Sequence, residues 1–220
     1  MFLEIDNVLS PSQLSALRDI AGKASFIDGR ISAPNNPTKN NQQIEMSSEA
    51  YNQSAQIVGQ ALQASEQFRN YAFFNQFAPP MLCKYGPGMT YGAHPDSAYV
   101  FAPGAMLRSD VSCTVFISEP EEYDGGELRI HIGERHLDVK LKAGSAVVYP
   151  STTIHEVRPV EKGERLVAIT FIESQIADET QRELLYTLNE VAALEGLRMD
   201  WDNRIKLEHV RHRLHRMFSG

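Results

Sequence analysis

The spacing of apolar residues changes period along the chain and divides it into three parts. Residues 2–9 read as a short strand. Ser10-Pro11 then opens a helix, with Ser as N-cap and Pro at the first helical position. Leu14, Leu17 and Ile20 form its apolar stripe, and Gly22 ends it. Residues 26–43 are turn-rich and polar and predict a long surface loop. Ser47-Ser48-Glu49 starts a second helix running to about Arg69, with Ile57, Val58, Ala61 and Leu62 facing inward.

From Pro79 the period falls to two. Met81–Tyr85 is strand-like, Gly86-Pro87-Gly88 turns the chain, and Met89–Ala93 leads in extended form to His94. A loop is expected over Ala98–Leu107. Strand candidates follow at Asp110–Ser118, Glu127–Ile132, His136–Leu141, Ala146–Tyr149, His155–Pro159 and Leu166–Glu173. Turn signals separate them: Tyr123-Asp-Gly-Gly126, Ile132-Gly-Glu134, Lys142-Ala-Gly144 and Glu161-Lys-Gly163. Many short strands at this spacing predict a mainly β sandwich, jelly roll or barrel with flanking helices. From Asp178 the period is helical again. Leu184, Leu185, Leu188 and Val191 line one helix, a break falls near Glu195-Gly196, and a basic helix over about 203–217 carries Ile205, Leu207, Val210, Leu214 and Phe218. The expected organisation is 1–78, N-terminal strand and helices; 79–176, the β core; and 177–220, C-terminal helices that pack on the sheet or make a homodimer surface.

Composition narrows this little. With 220 residues, 42% hydrophobic and 9% aromatic, the chain can build a sizeable core. A net charge of −7, from 21 basic and 28 acidic residues, argues against a nucleic-acid partner. Cys83 and Cys113 sit in apolar strand contexts and predict buried free thiols, not a disulfide. The first residues lack the basic-then-apolar order of a signal peptide, and no stretch is apolar enough for a membrane span. The expectation is a cytoplasmic protein without a membrane partner.

The chemistry concentrates in Lys84-Tyr-Gly-Pro-Gly-Met-Thr-Tyr-Gly-Ala-His94-Pro-Asp96. Positions i and i+2 of a strand face one side, so His94 and Asp96 can address one target. A lone His-x-Asp is weak. It gains weight from His155 in a later strand and from Arg165 ten residues beyond. Two imidazoles and one carboxylate leave coordination positions open on a metal, which suits a non-haem Fe(II) site. The planar guanidinium of Arg165 suits a distant carboxylate of a dicarboxylic acid.

On these residues the chain resembles the Fe(II)- and 2-oxoglutarate-dependent dioxygenases of the prolyl/lysyl hydroxylase type, most closely the bacterial PKHD-type hydroxylases. The resemblance runs through nearly the whole chain. It includes Val8-Leu9-Ser10, Asp28-Gly29-Arg30, Lys39-Asn40-Asn41-Gln42, Tyr91-Gly-x-His94-x-Asp96 and Arg108-Ser-Asp110 with Ser112-x-Thr114-x-Phe116. It continues through Tyr123-Asp-Gly-Gly-Glu-Leu128, Leu141-x-Ala-Gly144, Tyr149-Pro-Ser151, His155-x-Val-x-Pro-Val160 and Gly163-x-Arg165. It implies a double-stranded β-helix (jelly roll) core, Fe(II) on His94, Asp96 and His155, and 2-oxoglutarate anchored by Arg165. It also implies a hydrogen bond to that carboxylate from Tyr85 and a cofactor- or substrate-facing role for Tyr91. The implied reaction consumes O2 and converts 2-oxoglutarate to succinate and CO2 while hydroxylating a peptidyl proline or lysine or a small metabolite, with ascorbate as a reductant.

Two other classes use the same residues: a non-catalytic jelly-roll sensor of iron and 2-oxoglutarate, and a zinc-dependent hydrolase on the same barrel, which gives Arg165 no role. Arg30, Lys39, Asn40 and Arg108 are candidates for a substrate mouth or plain loop residues, and Arg108 is also a structural partner for Asp110. His131 and His136 read as exposed strand ends. His209, His212 and His215 read as a solvated basic helix face, and Glu119–Glu122 reads as a loop.

Overall fold

The computed structural model describes residues 1–102 and 104–219. Among the described residues the α-helices are α1 (Pro11–Lys23), α2 (Glu49–Ala64), α3 (Glu66–Ala72), α4 (Glu179–Glu195) and α5 (Trp201–Phe218). Ser10 caps α1 in a reciprocal box with Gln13, satisfying donors that a helix start leaves free. The predicted helix over 47–69 is two helices. Ser65 ends α2 and caps α3 with its hydroxyl, a local hydrogen bond that an unbroken helix would not need.

Two sheets face each other as a jelly roll. The larger follows the order Leu3–Ile5, Ala146–Pro150, Val111–Phe116, Arg165–Ser174, Met81–Tyr85, Gln42–Ile44, Phe26–Asp28, and Phe74–Phe77 also pairs with Arg165–Ser174. The smaller follows Arg135–Val139, Leu128–Ile132, His155–Val157, Thr90–His94, Lys39–Asn40. Strand alternation gives the larger sheet two unlike faces. Val111, Cys113, Val115, Val148 and Ala168 join residues of α1–α4 in an outer core. Cys83, Tyr85, Phe116, Val147, Tyr149 and Val167 join Leu128, Ile130 and Val157 of the smaller sheet in an inner one. Each fully buried Val, Leu, Ile or Phe in these layers contributes about 1.5–3 kcal/mol.

Several expectations need correction. The predicted loop over 26–43 supplies strands to both sheets, because Lys39, Asn41 and Gln43 bury polar side chains inside the barrel while Asn40 and Gln42 face out. Hydropathy marks such a strand as a loop. The segment 98–107 is a hairpin, Tyr99–Ala102 with Ala105–Arg108, and Pro103 within it lies outside the described residues. Turn signals at Tyr123–Gly126 and Glu161–Gly163 belong to a ribbon of Tyr123–Gly125 with Val160–Gly163. Gly163 has φ +74°, and a Cβ there would lie 2.0 Å from Glu122 O, so only glycine admits this close approach beside Arg165. On α4 the inward residues are Arg182, Leu185, Tyr186 and Ala192, while Leu184 and Val191 are exposed. None of α5 is buried. No helix among the described residues is long and apolar enough to cross a membrane. Cys83 and Cys113 are free and buried, as their contexts predict.

Candidate metal centre and carboxylate pocket

His94 and His155 are direct partners across the antiparallel pair of Thr90–His94 with His155–Val157. Their ring centroids are 4.5 Å apart. Asp96 follows two residues after His94, just past the strand end, where its N–H donates to Ser151 O at 3.1 Å. Donor atoms of His94, Asp96 and His155 all lie within 4.8 Å of one another, so the three could hold one metal ion. His155 Nε2 is 3.8 Å from Asp96 Oδ2.

Each group is already oriented. His94 Nδ1 lies 2.7 Å from Gly92 O and His155 Nδ1 2.9 Å from Thr153 O. A carbonyl only accepts, so both Nδ1 atoms carry the proton and both Nε2 atoms present a lone pair. Burial, helped by His155 beside it, pushes the His94 imidazole down to about 4, keeping it neutral near pH 7. Asp96 Oδ2 accepts from Ser112 Oγ at 2.5 Å. Ser112 Oγ lies 2.7 Å from Ser151 Oγ, and Ser109 Oγ donates to Ser151 Oγ at 2.8 Å. Because the Ser112 hydrogen is committed to Asp96, the chain runs Ser109 to Ser151 to Ser112 to carboxylate. Tyr91 stacks on His94 with centroids 3.6 Å apart, and burial, then Asp96, raise its phenol to about 12.

Arg165 begins the central strand of the larger sheet opposite Tyr85 and points into the barrel. It is 1% exposed, and its Cζ stands 5.1 Å from the Tyr85 ring centroid and 5.6 Å from that of Phe116. Its Nε has no hydrogen-bond partner, nor do Asn41 Oδ1, Gln43 Nε2 and Tyr123 OH. An unpaired buried cation is costly unless an anion completes it. Asn41 lies near Tyr85, whose phenol is driven upward by burial. A Cβ on Gly29 would meet Asn41 Oδ1 at 1.9 Å, so glycine is what lets that amide turn inward.

Sequence reasoning named His94, Asp96, His155, Arg165, Tyr85 and Tyr91, and the fold brings them to one barrel interior. It left Asn41, Gln43, Ser112 and Ser151 without roles, although period-two burial of Lys39-x-Asn41-x-Gln43 is a readable signal once the strand is known. Arg30 and Arg108 are paired with Asp28 and Asp110, and Arg108 Nε donates to Asp110 at 2.8 Å. Asn40 Nδ2 donates to Gly88 O at 3.3 Å, outside the cavity. His131 faces Glu156 at 3.9 Å, and His215 packs on Phe73 and meets Gln175.

These donors suit a divalent ion with open positions and a dicarboxylate reaching from it to Arg165. The comparisons agree with that class. A family model for the 2OG-Fe(II) oxygenase superfamily matches residues 80–173. The fold is shared with a prolyl-4-hydroxylase of Pseudomonas putida, at TM-score 0.54 and 24% identity over 79% of this chain and 92% of that one. It is also shared with HygX of Streptomyces hygroscopicus, solved with nickel and 2-oxoglutarate bound, at TM-score 0.54 and 14% identity over 77% and 81%. A PKHD-type hydroxylase of Sphingopyxis alaskensis is 48% identical over 211 residues, 96% of each chain. Fold and site thus define an Fe(II)- and 2-oxoglutarate-dependent oxygenase. The chain belongs to the PKHD-type hydroxylases.

Proposed function

We propose that His94, Asp96 and His155 hold Fe(II) and that Arg165 binds the 5-carboxylate of 2-oxoglutarate. The observation that carries the assignment is the pairing of a pre-oriented His-Asp-His cluster with a buried guanidinium whose Nε lacks a partner. When bound, iron and 2-oxoglutarate would supply, with O2 as oxidant, oxidative decarboxylation to succinate and CO2, one oxygen atom entering succinate and the other the hydroxylated C–H bond of the substrate. The chain's own work is positional. Gly92 O and Thr153 O hold the imidazoles in the metal-binding tautomer, and Ser112 fixes the carboxylate. Tyr85, with Asn41 beside it, completes the dicarboxylate pocket, and Tyr91 walls the metal side against water.

The 79–176 core carries the metal cluster and Arg165, with the 39–43 strand as a wall contributed from the N-terminal segment. The substrate is a peptide or a small molecule. Two buried free thiols suit a reducing, cytoplasmic setting. The exposed apolar residues Leu194, Leu197 and Trp201 at the junction of α4 and α5 suit a homodimer contact.

Anaerobic titration of the protein with Fe(II) and 2-oxoglutarate tests the site. A visible metal-to-ligand charge-transfer band is expected. It should vanish in His155→Ala and require about 30-fold or more cosubstrate in Arg165→Ala, the loss that follows truncation of one partner of a buried charge pair. Absence of the band in the iron-loaded wild type refutes the assignment.

A further inference from the structure

The strand from Lys39 to Gln43 brings a second cation into the site. Lys39 pairs with Tyr91 across the smaller sheet and is 6% exposed. Its Nζ lies 5.0 Å from the centroid of the Tyr91 ring, the ring that stacks on His94. Among the described residues it makes one hydrogen bond, to Ser32 Oγ at 2.7 Å. An ammonium carries three donors, so two remain without a protein acceptor. Ser32 Oγ in turn lies 2.8 Å from Gln43 Oε1, and Gln43 Nε2 is a further buried donor with no partner.

The neighbouring groups do not neutralise Lys39. Asp28 is engaged by the Arg30 guanidinium, whose Nε donates to it at 2.9 Å. Burial pushes the Cys83 thiol up to about 11, so it is uncharged near pH 7. Asp96 is the remaining carboxylate nearby, and it serves the metal. In the loaded site Fe(II) brings two positive charges, and Arg165 and Lys39 one each. Asp96 removes one and 2-oxoglutarate two. One positive charge is left over, and it belongs to Lys39. A desolvated cation of this kind calls for an anionic partner.

We propose that the substrate carries a singly charged carboxylate and that Lys39 binds it beside the metal. This rests on the iron and 2-oxoglutarate assignment above and adds a substrate class to it. A small carboxylic acid fits Lys39, whereas an internal prolyl or lysyl residue, whose only carboxyl is an amide, does not.

The test uses the full protein loaded with Fe(II) and 2-oxoglutarate under anaerobic conditions, with trifluoroacetate and the neutral trifluoroacetamide as probes. The fluorine resonance of a probe held near Fe(II) broadens, and a Zn(II)-loaded sample supplies the diamagnetic baseline. Broadening of trifluoroacetate but not of the amide is expected. Lys39→Met should weaken trifluoroacetate binding about tenfold or more, the worth of a hydrogen bond to a charged group, and Lys39→Arg should retain most of it. The 2-oxoglutarate titration by the charge-transfer band should match wild type in both variants, which also shows that both fold. Equal broadening by acid and amide, or none by the acid, overturns the proposal. So does a large loss of 2-oxoglutarate affinity in Lys39→Met, which would assign the lysine to the cosubstrate. A missing charge-transfer band in wild type strikes the underlying assignment instead.

Discussion

The two ends of the barrel interior solve opposite problems. At the metal end each ligand side chain is already held by a protein partner: two imidazoles on backbone carbonyls and a carboxylate at the end of a three-serine chain. At the Arg165 end Nε, Asn41 Oδ1 and Tyr123 OH are buried without partners. A metal needs its ligands deprotonated and aimed before it arrives, because tautomer and orientation decide affinity. A dicarboxylate brings its own acceptors, so the protein can leave donors waiting. The first end is organised by its own hydrogen bonds; the second is completed by ligand.

Arg165→Met is the sharpest way to break that contrast, and the largest effect is expected there. It removes a buried cation whose partner is absent from the free protein, and methionine roughly keeps the volume. The ligand-free melting temperature should hold or rise, since replacing buried charge by packed apolar atoms is often neutral or stabilising. Stabilisation by 2-oxoglutarate should disappear at the same time. Thermal melts with and without the cosubstrate measure both. A fall of several degrees in the ligand-free variant, about 1–2 kcal/mol for a chain of this size, would mean that Arg165 holds the fold together rather than waiting for an anion.

The metal end should respond in the other direction. Ser112→Ala leaves all three ligand residues in place but releases Asp96 from its serine chain. Outer-shell losses of this kind typically weaken metal binding about 10–100-fold. Competition with a metal-sensitive dye reads this directly, and at saturating metal the 2-oxoglutarate requirement should be unchanged. An unaltered metal affinity would show that Asp96 is positioned by its Ser151 backbone contact alone.

The same contrast explains what the sequence discloses. His94-x-Asp96 with His155 and Arg165 is legible because each is a rare residue type in a strand pattern, and all four converge in the fold. Ser112 and Ser151 are not, since a small hydroxyl in an apolar strand looks like ordinary packing until its neighbours are known. Lys39, Asn41 and Gln43 are misread for a stronger reason. Their strand buries its polar side, inverting the alternation on which strand recognition depends, so a wall of the cavity passes for a loop. The larger sheet's apolar strands, read from Met81–Tyr85 and Leu166–Glu173, carried no such inversion. Tyr123–Gly125 and Val160–Gly163 were hidden by glycines that serve close backbone approach rather than chain reversal alone.

The smallest effect expected is a pH dependence of the metal-free protein that the histidine pair imposes. Burial and the proximity of His155 lower His94 from an ordinary 6.5 to about 4. Between those values the unfolded chain binds a proton that the folded chain refuses, so stability rises with pH in this window. The contribution is whole above about 6.5 and is lost as pH falls toward about 4, the direction set by a lowered folded-state value. The carboxylates Asp138, Glu122 and Glu173 are also lowered, by their hydrogen-bonded partners, and act in the same direction, but below the ordinary carboxylate range and so lower in pH. Urea midpoints measured from pH 7 to pH 5 should therefore decline in wild type and decline less in His94→Gln. Equal slopes would show that the imidazole is not held neutral by its surroundings, and the picture of a metal end poised before its ion arrives would fail at His94.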